Sequence, residues 1–273
     1  MQGKSIILLG AEKQAAVSAA LAWPEVQFKG FTDQPVIDGW DVHNLQFYTA
    51  NPMSFNWPDQ NDEIWPLCPR WLVANVKLKH PALQEVFDRL KPSFSAHMLN
   101  YSSEPLHGNW IVKGDHWHLP DGPFTGSNRN GNSCVNKQKF FQEYLGPCPT
   151  QMIIGLRKNS STMGLGIFDV YRESLGADDL LMAGETVFNS ETLNTSIAML
   201  NTLGHIGFFT FTWVQKNKHY LLSSFRPVPR AVFQTLKLAG VDCLTLKENE
   251  VALAKAGVKF VVDIHYSSYQ RLV

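Results

Sequence analysis

The stretch KSIILLGAEKQAAVSAALAW, residues 4 to 23, constrains the fold of this 273-residue chain more than any other. Ile6 to Leu9 form an unbroken apolar run without alternation, which reads as a strand buried on both faces. Gly10 then supplies a turn, and the alanine-rich segment after it reads as a helix. Strand, turn and helix in this order open an α/β lobe. Gly10 stands alone where the dinucleotide fingerprint needs three glycines, so a nicotinamide cofactor gains no support.

Beyond this opening, VQFKGFTD (26 to 33) reads as a second strand. Residues 40 to 71 read as a loop-rich connection or cover, broken by Pro52, Pro58, Pro66 and Pro69. Trp57, Trp65 and Trp71 lie in that stretch and are candidates to line a binding face. Leu83, Val86, Phe87 and Leu90 are spaced for a helix over about 81–91, with Pro81 in its first turn and Pro92 just past its end.

From residue 108 the order changes. A strand, NWIVKGD, leads into the loop DGPFTGSNRNGNS and then a helix-like NKQKFFQEYL. The strands TQMIIGLRK and MGLGIFDVYRES follow, then a helix, SETLNTSIAMLNTLG. Two strands joined at KNK (216 to 218) and a last helix, RAVFQTLKLAG, complete an α+β order behind the α/β front.

Charge excludes several functions. Lys plus Arg equals Asp plus Glu at 24 each, so no global field draws the chain to nucleic acid or an anionic membrane, and any anion site must be local. No apolar run approaches the ~20 residues of a membrane helix. Cys68, Cys134, Cys148 and Cys243 lack the close spacing of zinc or redox motifs, and no signal peptide precedes them, so reduced thiols and a cytoplasmic location are expected. No Gly-x-Ser-x-Gly elbow occurs. His116 and His118 alternate on a strand and Asp115 or Asp121 lies beside them, but a third ligand at a telling distance is missing for zinc.

Local anion chemistry gathers at two places. Lys113 ends an apolar strand, and Gly114, Gly122 and Gly126 free the backbone that follows; lysine with exposed N–H groups suits phosphate. In FFQEYLG, Gln142, Glu143, Tyr144 and Leu145 precede a Gly146-Pro147 break. They are placed to offer backbone groups to the edge of a flat base, with Glu143 accepting from an amine or a ribose hydroxyl.

Taken in order, the basic segment NVKLKHP, the strand lysine of WIVKGD, the glycine-rich loop, QEYLG and the pair GHIGFFTFTWVQKNKHYLLSSFRP resemble the ATP-grasp superfamily, most closely its carboxylate–amine ligases. The resemblance covers roughly residues 70 to 245. It implies an α/β front lobe over 1–75, an ATP-grasp domain of two α+β subdomains over 76–245, and a C-terminal segment, 246–273, packed on the grasp. It also implies ATP with adenine at Gln142 to Leu145 and phosphates at Lys113 and at Lys77 or Lys79. The expected substrate is a small carboxylate, activated as an acyl phosphate and captured by an amine or thiol, and a homo-oligomer is compatible with it.

The final strand pair departs from the family pattern. Where members carry acid, glutamate and asparagine ligands for Mg²⁺, this chain has Thr212, Ser223 and Phe225, and no Asp or Glu occurs between Glu191 and Asp242. Hydroxyls are poor substitutes for carboxylates on Mg²⁺, so no metal ligand is assigned. Asp169 and Glu173, with Glu185 soon after, are acids that could serve a metal from elsewhere in the chain. Arg226 and Arg230 remain, and guanidinium suits phosphate or carboxylate. Two readings follow: an active ligase, or a member that has lost its metal site and binds nucleotide or a partner.

Overall fold

The computed structural model describes residues 5–10, 13–32, 42–51, 63–67, 83–104, 107–114, 124–125, 139–175, 180–227, 229–264 and 269–272. Strands β1 (Ser5–Leu9), β2 (Gln27–Thr32), β3 (Leu45–Thr49) and β4 (Glu63–Pro66) form a parallel sheet in the order β3-β2-β1-β4. Helix α1 (Lys13–Ala22) packs its alanines into the core, where small side chains allow close approach to the sheet. Thus β3 and β4 correct the expectation of a loop over 40–71. Pro66 closes β4 at the sheet edge, where proline is tolerated.

Helix α2 (Leu83–Phe94) buries Val86, Phe87 and Leu90, as their spacing requires. It runs past the expected end at 91 and includes Pro92. So near the C-terminus a missing N–H removes a single intrahelical bond. A 3-10 turn, Ser95–His97, follows, and Met98 bridges to Leu222.

A small antiparallel sheet comes next. It is built from β5 (Tyr101–Ser102), β6 (Trp110–Gly114), β7 (Phe124–Thr125) and β8 (Lys139–Glu143) in the order β5-β8-β6-β7. β8 overturns the helix expected in NKQKFFQEYL. Both of its edges are paired, to β5 and β6, and Phe140 and Gln142 are buried at period two.

The largest sheet has the order β13-β12-β9-β10-β11-β15-β16, with β14 beside β10. Its strands are β9 (Thr150–Arg157), β10 (Met163–Leu175), β11 (Leu180–Val187), β12 (Gly207–Lys216), β13 (His219–Arg226), β14 (Val251–Leu253), β15 (Lys259–Ile264) and β16 (Tyr269–Leu272). The sequence reading had not singled out β11 or the three C-terminal strands. The turn between β12 and β13 uses Asn217 and Lys218 at φ 50° and 69°, the left-handed pair of a tight hairpin.

Helix α3 (Ser190–Leu203) is capped by Asn189, whose side chain accepts from the N–H groups of Glu191 and Thr192. It covers one face of the large sheet with Met199 and Leu200, against Phe209, Phe211, Trp213 and Phe225. On the other face lie α4 (Phe233–Leu238) and the front sheet. Trp65 sits at their junction, 3% exposed, in T-shaped contact with Phe208 at 5.1 Å and stacked on Phe233 at 5.8 Å. It is a core residue and not part of a binding face; Trp57 and Trp71 lie outside the described residues.

Candidate functional site

The two chain crossings into the small sheet lie side by side at the β13 edge. Leu99 N–H donates to Leu222 O at 3.1 Å, and the chain then enters β5 through Asn100. The return crossing leaves β8 at Glu143, whose N–H donates to Asn100 O at 2.8 Å. Tyr144 N–H donates to Asn109 O at 3.0 Å. Neither bond uses Leu145, and Gly146 turns the chain at φ 74°, a conformation that favours glycine. Gln142, Glu143, Tyr144 and Leu145 are therefore a strand end and connection between the two sheets, not a helix end.

A cleft of about 540 Å³ opens beside them, lined by Asn100, Tyr101, His107 to Asn109, Glu143 and Tyr144. Glu143 accepts from Lys216 Nζ at 2.5 Å and from Asn100 Nδ2 at 3.0 Å. Its carboxylate thus accepts two bonds within the protein while still facing the cleft, 23% exposed. Tyr101 donates from its hydroxyl to Asp88 at 2.8 Å. Burial, then that bond and the Asp88 charge, push its phenol well above the ordinary range. Gln142 is fully buried, and neither its Nε2 nor its Oε1 has a hydrogen-bond partner.

On β6 the backbone register puts Lys113 directly opposite Phe140 of β8. Lys77 and Lys79, the candidates for a second phosphate cation, lie outside the described residues, as do His116, His118, Asp115 and Asp121.

Register sorts the large sheet into two faces, because directly opposed residues of antiparallel strands share a side. Ser224, Thr212, Met152, Phe168 and Thr186 form one row across β13, β12, β9, β10 and β11. Leu222, Trp213, Gln151, Asp169 and Glu185 form the neighbouring row on the opposite face. That second face is the one α3 covers: Gln151 Oε1 accepts from Asn189 Nδ2 and Thr192 Oγ1, and Trp213 Nε1 donates to Ser196 Oγ. Asp169 and Glu185 therefore cannot stand in for acids missing beside Thr212. Tyr171 instead donates to Glu185, and the Asp169 charge helps raise the Tyr171 and Tyr220 phenols, after burial.

A register shift between Thr212 and Trp213 leaves Ser223 as a bulge in β13. Beyond it Phe225 turns into the core, 4.9 Å from Phe211, so Ser224 rather than Phe225 shares the face of Thr212. Arg226 follows on that face opposite Thr210. Arg230 lies just before α4 with its Nε buried. At its β12–β13 end the face thus carries hydroxyls and a guanidinium, and further in it is apolar at Met152 and Phe168. It does not fit Mg²⁺, which requires carboxylate oxygen, and among the described residues no group of three His, Cys, Asp or Glu side chains assembles. Nor, among the described residues, is any helix long and apolar enough to cross a membrane.

No family model matches the chain, and no curated protein does. Solved structures do. N5-carboxyaminoimidazole synthetase from Staphylococcus aureus, complexed with ADP, superposes with TM-score 0.61 at 12% identity, over 96% of this chain and 81% of its own. A protein from Archaeoglobus fulgidus assigned to the ATP-grasp superfamily gives 0.60 at 10% identity, over 96% and 99%. L-amino acid ligase from Bacillus licheniformis gives 0.57 at 10%, over 91% and 76%. Over 91–96% of its length this chain therefore shares the fold of these three structures, one of which is an ATP-grasp superfamily protein.

Proposed function

We propose that the chain binds ATP where the small sheet joins the large one and uses it to couple a small carboxylate to an amine or thiol. The fold supports this reading, and the arrangement at the β8–β9 connection carries it. There the backbone of Glu143 and Tyr144 is pinned, leaving the N–H and C=O of Leu145 to meet the edge of a purine. In this reading Gln142 and Glu143 shape the base site from behind. Lys113, with Lys77 or Lys79, holds the phosphates, and Arg226 and Arg230 face the transferring phosphoryl group or the substrate carboxylate. Guanidinium forks supply positive charge at fixed geometry. The carboxylate attacks the terminal phosphorus, ADP leaves, and the amine displaces phosphate from the acyl phosphate.

A second reading is favoured by one observation, the hydroxyl row Thr212–Ser224 where a metal site would need acids. In it the chain binds nucleotide without turnover and serves as a partner subunit. Calorimetric titration of ATP, with and without Mg²⁺, into wild type and Lys113→Met separates the two when paired with phosphate release in the presence of carboxylate and amine mixtures. Turnover lost in Lys113→Met supports the ligase; ATP binding indifferent to Mg²⁺ with no phosphate release supports the second reading. Absence of ATP binding in the wild type rejects the ligase and leaves only a partner-binding form of the second reading.

A further inference from the structure

Three separate parts of the molecule converge on one carboxylate. Glu143 ends β8 and begins the return crossing. Asn100, which donates to it at 3.0 Å, lies in the outgoing crossing. Lys216, which donates at 2.5 Å, ends β12 in the large sheet and borders the tight turn to β13. The backbone bond from Glu143 N–H to Asn100 O clamps the two crossings a second time. The Asn100 contact joins one crossing to the other. Lys216 ties them through an ion pair to the hairpin that presents Thr212 and Ser224.

We infer that Lys216 is a positioning residue: it fixes the angle between the small sheet, with Lys113 on β6, and the β12–β13 hairpin of the large sheet. The inference rests on the nucleotide-binding reading for its effect on ligand, but not for its effect on the sheet. Lys216 and Glu143 are 35% and 23% exposed, so the pair acts through geometry more than through bulk stability. A point-like ammonium at the end of a flexible four-carbon stem would specify little alone. Here the carboxylate it meets is already held by Asn100, so the ammonium has one place to go.

The test uses Lys216→Met, Lys216→Arg and the double variant Lys216→Met/Glu143→Gln in the full chain, read by amide hydrogen exchange and by ATP titration. In Lys216→Met, exchange in Lys139–Glu143 and Trp110–Gly114 should quicken about threefold to fivefold, the scale of a partly exposed ion pair, while β9 and α3 keep wild-type rates. ATP affinity should fall by a similar factor. Lys216→Arg should restore both, and Glu143→Gln should add little to Lys216→Met because the partners act as a unit. Unchanged exchange in β6 and β8, or equal acceleration in β9, overturns the inference, as does unchanged ATP affinity in a wild type that binds. If the wild type binds no ATP, the nucleotide reading falls while the exchange comparison still decides the role of Lys216.

Discussion

Gln142 shows what a single misplaced polar group costs. Its amide is wholly enclosed and unpartnered, and leaving such a group unsatisfied costs about 1–3 kcal/mol. Gln142→Leu is expected to raise the urea midpoint by an equivalent amount with an unchanged slope; a lowered midpoint would show that the amide contributes to the native state. Cys243 behaves oppositely to an exposed thiol, since burial, followed by the neighbouring Asp242 charge, pushes it up to about 12. The unfolded thiol ionises first, near 8.5, so the unfolded state loses its proton while the folded one keeps it. Cys243 should then withdraw stability as pH rises from about 8.5 towards 12, by up to about 1.4 kcal/mol per pH unit, and Cys243→Ser should flatten that slope in denaturation series across pH. At this scale the sequence identified the residues of the β8–β9 connection but not what their side chains do. Burial of Gln142 and the engagement of Glu143 by Lys216, 73 positions away, depend on tertiary partners that no local pattern carries.

Elements were legible where period and punctuation agreed. The β12–β13 hairpin and α3 have clear alternation or caps and β9 is buried along nearly its whole length, whereas β8 hides behind helix-forming Lys, Gln and Glu, and its buried Gln142 breaks the apolar rhythm. The bulge at Ser223 explains why the hairpin positions read from sequence drift: two residues on β13 face one on β12, so a strict period of two puts Phe225 on the polar face when it lies in the core. Glycine marks the opposite constraint. A Cβ on Gly184 of β11 would overlap the carbonyl oxygen of Asp169 on β10, in the middle of a paired ladder where backbone cannot retreat. Gly184→Ala should therefore cost roughly 1–3 kcal/mol, measured by thermal or urea unfolding, although alanine is normally harmless in an exposed loop.

At the scale of the whole molecule, the front sheet and the large sheet share one aromatic junction. Trp23 stands 5.4 Å from Trp65 and 5.5 Å from Phe233, and its Nε1 donates to Asp242 at 3.0 Å. Trp65→Ala removes the ring that touches Phe28, Phe208 and Phe233 together. It should lower stability by about 3–5 kcal/mol and separate the fluorescence and circular dichroism transitions; coincident transitions would show that the sheets remain one cooperative unit. The sequence announced an α/β front and an α+β remainder, but their fusion through Trp65 was not visible, because a proline-rich setting resembles surface until its partner is known. The small sheet is attached quite differently. Its outgoing attachment leans on β13 through Leu99, its return attachment runs into β9, and Glu143 and Asn100 button the two together between them. The small sheet is thus moored at two separate berths joined by one short rope, so a pull on either berth is felt at the other.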